Sequence, residues 1–210
     1  MLANYLEMHP FSGLIECVPA YTNVTVYYQP FVIYESFKQK SDNLSPFQIV
    51  KSLLKEVFEQ LEVGKSTNNR VTKIPVCYGG EYGPDLEEVA KHNQLSIEQV
   101  IDIHSGGEYC VYMIGFAPGF PFLGGMSEKI ATPRRSTPRQ LIPSGSVGIA
   151  GVQTGVYPIA TPGGWQLIGQ TPLELFLPEK NPPSLLQAGD IVKFVPISKR
   201  EFLQQKEENI

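Results

Sequence analysis

Pro143-Ser144-Gly145-Ser146-Val147-Gly148-Ile149-Ala150-Gly151-Val152-Gln153-Thr154-Gly155-Val156-Tyr157-Pro158 reads as a strand, a turn and a second strand, with polar groups at the turn. This stretch sits in the longest uncharged part of the chain, since residues 140–173 contain no Asp, Glu, Lys or Arg. Seven glycines and four prolines interrupt that part, so it is no membrane span, which needs about 20 predominantly apolar residues. Residues 106–172 hold 13 of the 19 glycines with little helical periodicity, the pattern of short strands joined by tight turns. The C-terminal half is therefore expected to be mainly β.

Toward the N-terminus the pattern changes to alternating strands and helices. Residues 14–18 and 24–28 are β-prone runs on either side of Pro19-Ala20-Tyr21-Thr22-Asn23, and are expected to pair. Ser45 begins a helix as its N-cap, with Pro46 at the first helical position and Gln48 completing a capping box. Ile49, Val50, Leu53, Leu54, Val57 and Leu61 follow at helical spacing and form a face to lay on the strands. The polar, turn-rich Val63-Gly64-Lys65-Ser66-Thr67-Asn68-Asn69-Arg70 then marks a boundary. Its Gly64-Lys65-Ser66 is not a phosphate-binding loop, because that motif's first glycine would fall at Glu59, inside the helix. The expected division is a small α/β domain over 1–70 and a second domain over 71–210.

In the second domain, Val71–Tyr78 reads as a strand and 84–92 as a helix with Leu86, Val89 and Ala90 inward. Ser96 and Gln99 form another capping box, and Gly106 ends that helix, which places His104 in its last turn. The charged segment 199–210 is expected to be a solvated or frayed end.

A net charge of −4 supplies no overall positive field for a phosphate backbone, so nucleic acid is not an expected partner. Cys17, Cys77 and Cys110 are odd in number and far apart, which gives no disulfide framework and fits buried thiols in a reducing cytoplasm. The first residues lack a basic segment followed by an apolar run and a cleavage site, so no secretory signal is expected.

Chemistry is concentrated in the glycine-rich half. In Gly115-Phe116-Ala117-Pro118-Gly119-Phe120-Pro121-Phe122-Leu123-Gly124-Gly125, Pro-Gly pairs make a rigid loop whose amides can approach a ligand and whose rings can wall a pocket. The same composition also suits a tightly packed connector. Thr132-Pro133-Arg134-Arg135-Ser136-Thr137-Pro138-Arg139 brings three arginines to the threshold of the uncharged stretch, where guanidinium groups suit an anion or form a solvated turn. Gln153, Thr154 and Tyr157 supply hydrogen bonds for a neutral polar ring such as a lactam. Gly163 and Gly164 flank Trp165, the only tryptophan, as a core anchor or a stacking surface. Ser146 lacks the spacing of a nucleophile elbow, and His9, His92 and His104 have no metal-ligand spacing. His104 is either a general base or pocket donor, or a helix-end residue favoured by the dipole.

These same residues carry a family resemblance. His104-Ser105-Gly106-Gly107-Glu108-Tyr109, Tyr112-Met113-Ile114-Gly115-Phe116-Ala117-Pro118-Gly119-Phe120, Thr132-Pro133-Arg134 and the run from Pro143 through Pro172 resemble the family of B-type 5-oxoprolinase subunits, also called the allophanate hydrolase subunit 1 or KipI family. Weaker likeness at Val18-Pro19-Ala20-Tyr21 and Asp85-Leu86-Glu87-Glu88-Val89-Ala90 extends it to nearly the whole chain. The resemblance implies a cyclophilin-like β-barrel after the small α/β domain. It also implies work with homologous C-type and A-type partners, cleaving 5-oxoproline to glutamate with ATP, accompanied by Mg2+, as co-substrate and no tightly bound cofactor.

The site expected on these grounds has His104 and Arg134 in the chemistry. Phe116, Pro118, Gly119, Phe120 and Ser146 are expected around substrate or nucleotide, together with Gln153, Thr154, Tyr157, Gly163, Gly164 and Trp165. Two departures stand out: family members commonly begin with a further strand and helix, and they often carry arginine where this chain has Gln170. Other readings are a regulator that binds and inhibits a sensor histidine kinase, a carboxyl-transfer or allophanate-processing module, and, by fold analogy alone, a prolyl isomerase.

Overall fold

The computed structural model describes residues 2–20, 23–38, 44–61 and 70–208. Tyr21, Thr22 and most of the expected linker, including Gly64-Lys65-Ser66, lie outside the described residues. The chain divides into two compact units, Met1–Thr67 and Asn68–Ile210, where the sequence pattern placed the division after Arg70.

In the N-terminal unit, β1 (Leu14–Pro19) and β2 (Val24–Tyr28) pair antiparallel, with Val18 opposite Thr25. Helix α3 (Pro46–Gln60) begins with the expected capping box: Ser45 N–H donates to Gln48 Oε1 at 2.8 Å, and Gln48 N–H to Ser45 Oγ at 3.3 Å. Two helices had no sequence signal, α1 (Leu2–Met8) and α2 (Pro30–Phe37). They change the role of α3. Its Ile49 and Val50 pack on Ile33 of α2 as well as on Tyr28, while Leu53 and Leu54 are partly buried around them.

In the C-terminal unit a seven-stranded sheet runs in the order β5-β4-β11-β3-β10-β7-β8. The strands are β3 (Val71–Tyr78), β4 (Tyr109–Ile114), β5 (Pro121–Gly124), β7 (Ser146–Ala150), β8 (Gln153–Val156), β10 (Gln166–Gln170) and β11 (Ile191–Pro196). A separate pair joins β6 (Arg139–Ile142) to β9 (Thr161–Gly163). Only β3 and β11 run parallel, with Ile74 beside Phe194; the other neighbours are antiparallel. Edge strands β5 and β8 lie against each other, so the sheet nearly closes, as a cyclophilin-like barrel requires.

The hydrophobic sequence explains the closure. Every residue of β7 is buried, and Val147, Ile149, Val156 and Ile168 meet Ile74, Val76, Val192 and Phe194 in one core. Helices α4 (Leu86–His92) and α5 (Ile97–Ser105) add Leu86, Val89 and Val100 to it. The segment expected to fray is instead helix α6 (Lys199–Glu208). Phe202 anchors it, buried with its ring centroid 4.3 Å from that of Tyr82, and Glu201 caps it by accepting the Ser198 N–H at 2.8 Å. One buried aromatic outweighs a polar composition that by itself predicts solvation. No helix among the described residues is long and apolar enough to cross a membrane.

Candidate functional site

Four segments of the barrel converge on one cavity of about 270 Å3. The tip of the β4–β5 hairpin brings Phe116 and Phe120, and β5 adds Phe122. From β8 and the chain just after it come Gln153 and Tyr157. Pro162, Gly163, Gly164 and Trp165 come from β9 and its turn into β10, and Arg134 from the loop ahead of β6. The volume lies just under the range of roughly 300–1,000 Å3 usual for drug-sized ligands, so it suits a small molecule.

Phe120 is the hub of the wall. Its ring stands edge to face with Phe116 (5.5 Å), Phe122 (5.2 Å), Trp165 (5.9 Å) and Tyr157 (6.0 Å), centroid to centroid. A glycine makes this approach possible: a Cβ at Gly155 would stand 3.2 Å from both the Phe120 and the Trp165 rings, tighter than nearly all real contacts. Tyr157 is buried, and burial pushes its phenol up to about 12 against the opposing influence of Arg134, Arg139 and a backbone hydrogen bond from Trp165. It is a neutral hydroxyl at pH 7.

The three arginines divide the work. Arg135 Nη1 and Arg139 Nη2 each donate to Asp85 Oδ1 at 2.8 Å, while Asp85 Oδ2 accepts the Leu167 N–H at 2.7 Å. Asp85 is buried and precedes α4, so one carboxylate ties that helix, strand β10 and the arginine loop together. Arg134 is exposed at the cavity and forms no salt bridge among the described residues. Among the described residues, the expected cluster of three anion-binding arginines is thus one guanidinium without a salt bridge beside two that pair with Asp85.

His104 corrects the expectation of a catalytic base or pocket donor. It is fully buried, 0% exposed, and its ring stacks on Phe194 at 4.5 Å. Thr154 Oγ1 donates to the Gly148 carbonyl at 3.0 Å, so it accepts from His104 Nε2 at 2.9 Å, and Nδ1 in turn accepts from the Tyr78 hydroxyl at 2.7 Å. Burial lowers the imidazole to about 3, which keeps it neutral, and the cavity wall does not include it. Four more expected pocket residues are also absent from that wall. Thr154 is the buried partner of His104, and Ser146 is buried in β7, where its carbonyl accepts the Tyr157 N–H at 2.9 Å. Pro118 and Gly119 shape the hairpin tip, with Gly119 at φ +80 against Phe176. Phe116, Phe120, Arg134, Gln153, Tyr157, Gly163, Gly164 and Trp165 are brought together as expected.

Phe122, Pro162 and Asp85 escaped the sequence reading of the site. Phe122 lay in the aromatic loop and its position pointed to it; Asp85 carried no signal, because its partners are 50 residues or more away. Among the described residues, no group of three or more His, Cys, Asp or Glu is placed to hold a metal ion.

Residues 1–186 match the family described as carboxyltransferase domain, subdomain C and D. A Bacillus subtilis protein named as the B subunit of 5-oxoprolinase is 61% identical over 207 residues, 99% of this chain and 85% of the relative. The chain belongs to the family of B-type 5-oxoprolinase subunits. Solved structures share the fold of this B-type 5-oxoprolinase subunit family member: the crystal structure of a conserved uncharacterized Pyrococcus horikoshii protein, PH0987, aligns with a TM-score of 0.62 at 46% identity, covering 96% of this chain and 87% of that one. The structure of the K. lactis urea amidolyase aligns with a TM-score of 0.69 over 99% of this chain and 14% of that one; at 19% identity it speaks for the fold alone.

Proposed function

We propose that this chain is the B-type component of an ATP-dependent 5-oxoprolinase, working with A-type and homologous C-type partners to convert 5-oxo-L-proline to L-glutamate. The observation that carries this reading is 61% identity, over nearly the full length of this chain, to a protein named as the B subunit of 5-oxoprolinase. The cavity supports it chemically, since it offers apolar rings for a small ring and one free cation for an anion.

A lactam is a poor electrophile because its nitrogen lone pair is delocalised into the carbonyl. Transfer of the ATP γ-phosphoryl group to the lactam oxygen releases ADP and leaves a carbon that water attacks. Loss of phosphate and cleavage of the ring C–N bond then give glutamate. Positioned cations stabilise the charge that develops in such a step. ATP with Mg2+ is the co-substrate. The cavity lining contains a guanidinium, an amide and a phenol but no carboxylate, a donor set for an anionic substrate rather than for Mg2+. The lining of this cavity therefore supplies no ligand set for the metal nucleotide.

A partner surface is also available. Val24, Val26 and Tyr28 of β2 and Phe47, Leu54 and Phe58 of the α3 segment line an apolar groove on the N-terminal unit, with Phe47 and Phe58 largely exposed. An exposed apolar groove of this kind suits the docking of a partner protein. The carboxyl-transfer alternative has the description of the matched family behind it, and the 19% identity to the urea amidolyase adds only a likeness of fold.

The test is glutamate release from 5-oxoproline and ATP, by this chain alone and with its A- and C-type partners. Activity confined to the assembled mixture is the expected result. No glutamate from a mixture shown to be assembled would overturn the reading and favour a kinase-binding regulator.

A further inference from the structure

Phe116 combines three features that seldom coincide. Its backbone is at φ +69, one of two non-glycine residues in the left-handed region among the described residues. The residue is 76% exposed, the highest exposure of any large hydrophobic residue described. It also lines the aromatic cavity, edge to face with Phe120 at 5.5 Å.

The backbone explains how that conformation persists. The Ala117 N–H donates to the Gly115 carbonyl at 2.9 Å across Phe116, a three-residue γ-turn, which with positive φ is rare and strained. Two more bonds lock the tip: Gly115 N–H to the Phe120 carbonyl and Phe120 N–H to the Ala117 carbonyl, both 3.0 Å. Glycine would adopt this turn without penalty, whereas an exposed phenylalanine gains little from the fold in return. A strained residue whose large side chain lies mostly in solvent at a cavity mouth fits a role in binding.

We propose that Phe116 is a preset aromatic cap over a small lactam ring that carries one carboxylate and no positive charge. The proposal rests on taking the cavity as the substrate site. Arg134, the unpaired cation, takes the carboxylate. Gln153 faces a ring amide with a complementary donor and acceptor. Phe120 and Trp165, edge to face at 5.9 Å, form one aromatic wall beside the ring, and bound ligand covers the exposed Phe116 ring. With no carboxylate in the lining and Arg134 as a like charge, an ammonium group finds no ion-pair partner there, so a cyclic amino acid is disfavoured against its lactam.

Trp165 is the only tryptophan of the chain and stands in the cavity wall, so its fluorescence reports occupancy directly. The full chain is titrated with 5-oxoproline, with 2-pyrrolidinone, which lacks the carboxylate, and with proline, which carries the ammonium. The expected order is 5-oxoproline tightest, with each of the others weaker by about tenfold or more. In the Phe116→Gly variant the melting temperature is unchanged or higher, because the strain is relieved, while 5-oxoproline binding weakens about tenfold.

No Trp165 response to 5-oxoproline, equal binding of 2-pyrrolidinone, or full affinity in a folded Phe116→Gly variant would each overturn the proposal. Should that variant fail to fold, Phe116→Ala takes its place in the same titration, and full 5-oxoproline affinity in it overturns the proposal. The two readings fail separately. Glutamate release without a Trp165 response removes this cap and leaves the proposed activity, and a Trp165 response without glutamate release does the reverse.

Discussion

The Phe120 ring stands edge-on to the Trp165 indole, centroids 5.9 Å apart and planes at 87°. One residue comes from the β4–β5 hairpin and the other from the turn leading into β10, so this pair joins two sides of the cavity. Phe120 is 3% exposed and touches three further rings. Its replacement by alanine removes the hub of that cluster. The expected cost is about 3–5 kcal/mol of stability, as for other buried aromatic truncations. Chemical denaturation measures it, and Trp165 emission should shift to the red as water reaches the indole. A loss below about 1 kcal/mol with unchanged emission would show that the rings do not support one another.

Arg134 presents the opposite balance, since it is exposed and makes no salt bridge among the described residues. Arg134→Ala should leave stability within about 0.5 kcal/mol of the unaltered chain. Turnover by the assembled complex should fall at least tenfold, or about 1.4 kcal/mol of transition-state stabilisation. Unchanged kcat/KM would remove Arg134 from the site.

Asp85→Asn keeps an acceptor for the Leu167 N–H and takes away the charge that faces Arg135 and Arg139. Breaking a fully buried pair costs roughly 3–5 kcal/mol, but the Arg135 and Arg139 side chains keep 37% and 22% of their exposure. Solvent screening brings the expected loss to about 2 kcal/mol. Because the arginine loop is then released, KM for 5-oxoproline should rise as well. Unchanged kinetics together with lost stability would confine Asp85 to a purely structural role.

His104 sets an acid limit on stability. Burial lowers its folded-state value from 6.5 to about 3. Below 6.5 the unfolded chain therefore binds a proton that the folded chain refuses, until the pH approaches 3. The sign follows: stability from this group is complete above 6.5 and falls with pH across that window, by at most about 1.4 kcal/mol per pH unit. His104→Gln should be less stable at pH 7, having lost a fitted hydrogen-bonding ring, and should show a flatter decline between pH 6.5 and 4. Parallel declines in the two proteins would assign the acid sensitivity elsewhere.

Both capping boxes were legible because each is a local bargain between residues three apart. Ser45 with Gln48 and Ser96 with Gln99 occur where the sequence places them. Strands β2 and β3 likewise begin and end where their β-prone runs do. Much of the cavity was legible too, since the aromatic loop, Gln153, Tyr157 and the Trp165 turn are conspicuous against a glycine-rich, uncharged background.

Whatever depended on distant partners was not legible. A histidine in a last helical turn looks alike whether it faces solvent or stacks on Phe194, which lies 90 residues later in the chain and is placed there by the parallel pairing of β11 with β3. Three neighbouring arginines look equivalent until Asp85 occupies two of them. Helix α6 reads as a solvated tail until Phe202 finds Tyr82. By itself the sequence determined periodicity, caps, turns and the types of group available for chemistry, all set by interactions within a few residues. Only the tertiary structure decided which of those groups face the cavity, which are spent on each other and which are buried, because burial and pairing depend on neighbours the chain brings together from far apart.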